Sequence, residues 1–181
     1  KMKFHFFLIL LFILANKIDA MDLLQKIESQ TSSKKWEFVS DKVMGGISEG
    51  KFELLKDKKS NFLRLSGVVS TENNGGFIQI RSNFDIDEEN FKGIRIQARG
   101  LPSEYFVHIR TSFLLLPWQY YSGKFFVSEV WEDHEILFEN FKKSNFYQPS
   151  LFRSSDIKSI GFVAFGKNFN AQLDILKAEL F

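Results

Sequence analysis

At 181 residues, 44% of them apolar, the chain is long enough for one domain with a real core and a short N-terminal appendage. Lys and Arg number 24 against 22 Asp and Glu. The surplus lies in the leader (Lys1, Lys3 and Lys17 against Asp19), so the body is neutral and offers no basic field for nucleic acid. The absence of cysteine excludes disulfides, Cys-ligated metals and thiol nucleophiles together.

Residues 1–20 begin Lys-Met-Lys, continue through an apolar run over 4–15, and end at Ala20. That is the pattern of a secretory signal peptide, cleaved after Ala20, and it predicts an exported, periplasmic protein. The alternatives are an uncleaved anchor, which would be the only membrane contact, or translation from Met21 and a cytoplasmic protein. The run is short for a membrane-spanning helix.

Leu23, Leu24 and Ile27 stand at helical spacing, predicting a short helix over 22–29 and a polar connector to residue 35. From Trp36 to Phe181 the pattern turns to period two. It predicts strands over 51–55, 62–70, 76–81, 93–99, 105–112, 118–121, 124–127, 134–138, 159–165 and 172–180. Short helical turns are expected only at 87–91 and 154–158. About ten short strands with few helices predict an all-β, antiparallel sandwich of jelly-roll type in one domain over 36–181. Twenty-two Phe residues make its core unusually aromatic.

Two double-glycine strings punctuate this pattern, Asp41-Lys-Val-Met-Gly-Gly-Ile-Ser48 and Glu72-Asn-Asn-Gly-Gly-Phe77. Glycine pairs serve where the backbone needs positive φ or where another group comes too close for a Cβ. Asn-Gly between two apolar alternating runs predicts a hairpin joining the 62–70 and 76–81 strands.

Alternation places Gln79 and Arg81 on one strand face, and His108 and Arg110 on another, with Tyr120 beside Trp118 on the next strand. Gathered together, Gln79, Arg81, His108, Arg110 and Tyr120 would form a polar, aromatic face suited to a sugar or peptide. An ordinary solvated sheet face explains the same residues.

No metal and no cofactor are expected. The acidic run over 85–89 offers oxygen ligands for calcium, but fits a helix start capped by Asp87 better. No nucleophile elbow, phosphate loop, dinucleotide fingerprint or zinc-protease string is present. Asp133 and His134 are adjacent and face opposite ways on a strand, so they make no dyad. No catalytic residue is assigned, and a carbohydrate-active enzyme using two carboxylates is the weakest reading.

Trp36, the two glycine strings, Gly67, Arg81, Tyr105 through Thr111, Trp131, Phe141, Gly161-Phe162 and Gly166 with Phe169 through Ile175 follow one another in a specific order. That order resembles the complex I intermediate-associated protein 30 family, an assembly-factor domain for NADH:ubiquinone oxidoreductase. The resemblance covers residues 36–181 and implies a galactose-binding-like jelly roll with a non-catalytic, chaperone-like role. The implied partner is a protein, among them complex I subunits or assembly intermediates. The family's motif positions are Asp41, Met44, Gly45, Gly46, Ser48, Asn73, Asn74, Gly75, Gly76, Phe77 and Arg81. The leader departs from the mitochondrial presequence of the founding member and marks an exported, bacterial-type member. An exported carbohydrate-binding module is the alternative reading of the jelly roll.

Overall fold

A computed structural model describes residues 20–24, 36–57, 60–87 and 90–181. The predicted leader, most of the predicted 22–29 helix and the connector lie outside these residues.

Twelve strands make up the described residues: β1 (Met21–Asp22), β2 (Trp36–Ser40), β3 (Glu49–Lys56), β4 (Asn61–Val69), β5 (Phe77–Asn83), β6 (Gly93–Gly100), β7 (Ser103–Thr111), β8 (Tyr121–Val127), β9 (Glu132–Leu137), β10 (Lys142–Lys143), β11 (Ile157–Phe165) and β12 (Phe169–Leu180). They form two antiparallel sheets. The first runs β3-β4-β12-β6-β9, with β1 against the end of β12, and the second runs β10-β8-β7-β11-β5-β2. The all-β sandwich expected from the alternation is present.

Several local expectations change. Met21–Asp22 is a strand paired to Glu179 and Leu180 rather than the start of a helix. The Leu23 amide bonds the Ala178 carbonyl at 2.9 Å and its side chain is buried. The edge of β12 thus captures residues whose local spacing favoured a helix. Trp36–Ser40 is a strand that the periodicity did not single out. The predicted 118–121 and 124–127 strands are one strand beginning at Tyr121, so Trp118 and Tyr120 precede it. The predicted turn at 154–158 is a 3-10 turn over Ser154–Asp156. At 87–91 no helix is found among the described residues.

The largest correction concerns the hairpin. β4 and β5 belong to different sheets, β4 pairing β3 and β12 while β5 pairs β2 and β11. A turn is present where the Asn-Gly string predicted one, but positive φ falls on Asn73, Asn74 and Gly76, at 56°, 58° and 130°, while Gly75 stays at −79°. The chain turns there, but it turns across the sandwich.

The core is the inward residue of each strand, as alternation requires. Ile78, Ile80, Val107, Ile109, Ile160 and Phe162 from one sheet meet Leu63, Leu65, Ile94, Ile96, Leu173 and Ile175 from the other, all essentially inaccessible. Trp36 stacks on Phe162 with centroids 5.6 Å apart, and meets Phe84 edge-on at 6.0 Å. Such aromatic pairs add about 0.5–1.5 kcal/mol beyond burial.

The outer face of the first sheet carries its own closed cluster. Asp174, fully buried, receives two bonds from Arg64 at 2.6 and 2.7 Å and one from Arg99 at 3.1 Å. Both guanidinium groups lie over Phe62, and that of Arg99 also over Trp131 at 4.4 Å. The bond to Asp174 raises the Arg64 pKa further, against the effect of burial. Every partner of the carboxylate comes from a neighbouring strand, so the cluster fixes the register of β4, β12 and β6.

Phe162→Ala removes a fully buried ring between the sheets, and should destabilise the fold by about 3–5 kcal/mol. The shift in urea midpoint measures this.

Candidate functional site

The two glycine strings meet at one carboxylate. Residues Asp41–Met44 form a single 3-10 turn whose start is capped by Ser40, and Gly45 closes it at φ 92°. This turn puts the Asp41 side chain inside the protein, with no accessible surface. Oδ1 accepts from the Ser48 amide at 2.9 Å, while Oδ2 accepts from the Ser48 hydroxyl and from the amides of Gly76 at 2.6 Å and Phe77 at 3.2 Å. Four donors match what an ionised carboxylate can accept.

The four glycines divide by cause. Gly45 and Gly76 take positive φ, at 92° and 130°. Gly46 and Gly75 give the carboxyl room: a Cβ on Gly75 would stand 2.5 Å from Oδ2, and one on Gly46 would overlap the same group. Burial pushes the Asp41 pKa up, but the bonds from Ser48, Gly76 and Phe77 outweigh it and hold the pKa below its ordinary 3.8.

A third chain segment joins this site. The Ser48 hydroxyl, donating to Asp41, accepts from the Ser70 amide at 2.9 Å. Next along, Thr71 donates its amide and hydroxyl to Asn168 Oδ1 at 2.7 and 3.0 Å, and the Gly166 amide bonds the Gly76 carbonyl at 2.8 Å. The connections β2–β3, β4–β5 and β11–β12 all cross from one sheet to the other, and all three are tied here. Asp41, Gly45, Gly46, Ser48, Asn73, Asn74, Gly75, Gly76 and Phe77 are therefore brought together as a corner, and the lone pairs of Asp41 are used within the chain. Met44 points out and is exposed.

The second candidate lies on the outer face of the β10-to-β2 sheet. Register places Gly161 of β11 between Arg81 of β5 and His108 of β7, with Gln79 one row along beside Val163. The glycine leaves the row without a side chain between the two. Tyr120, although it precedes β8, stacks on His108 with centroids 4.0 Å apart and planes 17° from parallel. Phe165 meets His108 edge-on at 5.6 Å. Burial pushes the His108 pKa down to about 3 and the Tyr120 hydroxyl up, so this imidazole is neutral at ordinary pH.

Much of the polar capacity on this face is engaged. Arg81 bonds Glu37 of β2 at 2.6 Å, and Arg110 donates to the carbonyls of Leu114 and Leu116 at 3.3 and 3.1 Å. His108 Nε2 and Arg110 Nε have no partner. The five predicted residues thus share one face, but Arg81 and Arg110 act first on neighbouring segments. Glu37, Gly161 and Phe165 belong to the same face and were missed. Glu37 could have been found only by recognising β2, and Gly161 only by knowing the β11 register.

His134 packs inward on Phe125 at 5.3 Å, away from Asp133. Asp85 pairs with Lys158 at 3.3 Å. Among the described residues no group of three or more His, Asp or Glu side chains could hold a metal ion.

Residues 25–175 match the family described as Complex I intermediate-associated protein 30. No curated protein matches the chain. Among solved structures, the family 11 carbohydrate-binding module of a cellulosomal cellulase of Clostridium thermocellum superposes with a TM-score of 0.72 at 17% identity, covering 91% of this chain and 95% of the module. The same kind of module in complex with a β-1,3-1,4-mixed-linked tetrasaccharide gives 0.69 at 16% identity, with 91% and 97% covered. A family 30 module of another C. thermocellum cellulase gives 0.54 at 10% identity, with 81% and 90% covered. At these identities the likeness is one of fold, a carbohydrate-module jelly roll.

Two predictions arise from these geometries. Asp41→Asn turns an amide donor toward backbone donors and should destabilise by at least about 3 kcal/mol at neutral pH. With its folded pKa depressed, Asp41 contributes stability above pH 3.8 that is lost as pH falls through the lower folded value; urea midpoints across acid pH should show that loss in the wild type and not in Asp41→Asn. For His108 the unfolded chain takes a proton near 6.5 and the folded chain only near 3. The unfolded state therefore binds more protons between those values and stability falls with acidification, a slope that should flatten in His108→Gln.

Proposed function

Because the chain belongs to the complex I intermediate-associated protein 30 family, we propose that it is a non-enzymatic binding domain that recognises a protein partner. The carrying observation is the family match over residues 25–175, which spans both glycine strings and the Asp41 corner. Those motif residues act as architecture, so partner recognition falls to the surfaces that the corner holds in place. Arg81 and Arg110 being committed to their own chain supports a broad protein contact over a deep polar ligand site. The partner class we assign is an assembly intermediate of respiratory complex I, with the domain acting as an assembly chaperone. The apolar leader supports export. Affinity capture from the native host should recover complex I subunits, and deletion should lower assembled complex I on native gels. Unchanged levels together with capture of unrelated proteins would reject that partner.

One observation favours a second reading, an exported carbohydrate-binding module. The His108–Tyr120 stack lies beside the unpartnered His108 Nε2 and Arg110 Nε, and a structural neighbour of the same fold holds a mixed-linked tetrasaccharide. On this reading, glycan-array binding should fall at least about tenfold in Arg81→Ala and Tyr120→Ala, as loss of a stacking ring or a charged bond of about 1.5–3 kcal/mol would give. Absence of binding across β-glucans would remove it.

A further inference from the structure

Two of the connections at the end of the sandwich opposite the Asp41 corner are residues 112–120, between β7 and β8, and residues 144–152, after β10. Their backbones are held from within. The Tyr120 and Ser144 main chains bond each other at 3.0 Å, and the Ser144 hydroxyl accepts from the Tyr120 amide at 3.1 Å. Arg110 holds the carbonyls of 114 and 116. Lys143 Nζ holds those of Phe146 and Gln148 at 2.8 and 2.9 Å, and the Tyr121 hydroxyl holds that of Pro149 at 2.9 Å.

With the polar groups turned inward, the apolar side chains face out. Leu115 and Phe146 are 86% and 87% exposed, and Trp118, Tyr147 and Leu151 are exposed as well. This is an outward apolar surface built on an ordered backbone, more than the scattered exposure any soluble surface shows.

Three observations identify the occupant. First, no residue from Ser112 to Gly123, or from Ser144 to Phe152, is charged. Second, each stretch is rich in aromatic and aliphatic side chains, Phe113, Leu115 and Trp118 in one and Phe146, Tyr147 and Leu151 in the other. Trp, Tyr, Phe and Leu on an uncharged tip is a composition that partitions into a membrane interface, with the rings at headgroup depth. Third, Met21 pairs with Leu180 and β1 runs antiparallel to β12, so the chain preceding Met21 joins the sandwich at this same end. That preceding sequence contains the apolar run over 4–15, which as the uncleaved anchor would hold this end at a bilayer. The C-terminal end of β12 adjoins the second loop, since Lys92 bonds the Phe181 carbonyl and the Phe138 amide bonds that of Lys92, while Phe138 packs on Phe152 at 5.1 Å.

We infer that this end of the sandwich docks on a lipid bilayer, with the tips around Leu115 and Phe146 entering the interface. The inference is independent of which partner the sheet faces recognise. It places the Asp41 corner away from the membrane.

The lack of cysteine makes the test direct. Leu115→Cys, Phe146→Cys and, at the far end, Val43→Cys (Val43 is 76% exposed) each take a single environment-sensitive fluorophore on the full chain. Adding phosphatidylcholine–phosphatidylglycerol vesicles should shift emission to the blue and raise its intensity for the labels at 115 and 146, and leave the label at 43 unchanged. Unshifted labels at 115 and 146 would overturn the inference, even if the chain sediments with the vesicles, because the leader would then hold it alone. A shift without lipid that grows with protein concentration would assign the surface to a second copy and would overturn it equally.

Discussion

Everything at one end of this molecule depends on the ionised carboxylate of Asp41. A sandwich whose strands alternate between sheets must cross the gap repeatedly, and each crossing interrupts a hydrogen-bond ladder and leaves backbone amides in the interior. Unpaired, such donors are among the least tolerated features of a fold. Asp41 supplies acceptors for three backbone amides and one hydroxyl from a single buried position. The residues around it follow from that choice. Two glycines leave space for the carboxyl, two bend the chain toward it, and Ser48 passes the connection on to the next corner.

The consequence is a molecule with unlike ends. At the corner end the connections are short, glycine-rich and cross-linked to each other. At the other end the connections are longer and their polar atoms face inward, so that they display side chains rather than tie strands together. Between the ends, the Arg64–Asp174–Arg99 cluster fixes the register of one sheet from its outer face, and the Tyr105 hydroxyl, bonded to the Gln172 carbonyl at 3.0 Å, bridges the two sheets. Such a division leaves the surface free to vary where it carries no strand register.

How much of this was legible in the sequence depended on the range of the interaction. Alternation in Phe77–Asn83, Ser103–Thr111 and Phe169–Leu180 reports which face is buried, a local consequence of period two, and it was readable. That the chain turns at Asn73-Asn-Gly-Gly76 was readable from local turn chemistry. The destination of the turn was not, since whether β5 pairs with β4 or with β2 and β11 is decided by an aspartate thirty-five positions earlier. Grouping Gln79, Arg81, His108 and Arg110 on one face succeeded because each obeys its own strand's alternation. Their engagement with Glu37 and with the 114–116 carbonyls depends on tertiary neighbours and left no local trace. Trp36–Ser40 escaped because five residues give alternation little length to show itself.

The place of β12 in its sheet has a kinetic meaning. It follows all the other described strands in sequence, yet it stands between β4 and β6, so the first sheet has no centre until this segment arrives. Asn168, which ties the third corner, lies ninety-seven positions from Thr71. Closure therefore waits on pairings of long sequence separation, which slow folding, and β4 and β6 meanwhile present open ladders to any passing strand. Until then the first sheet is a pair of unjoined halves, and the last strand acts as the keystone that joins them against the second sheet.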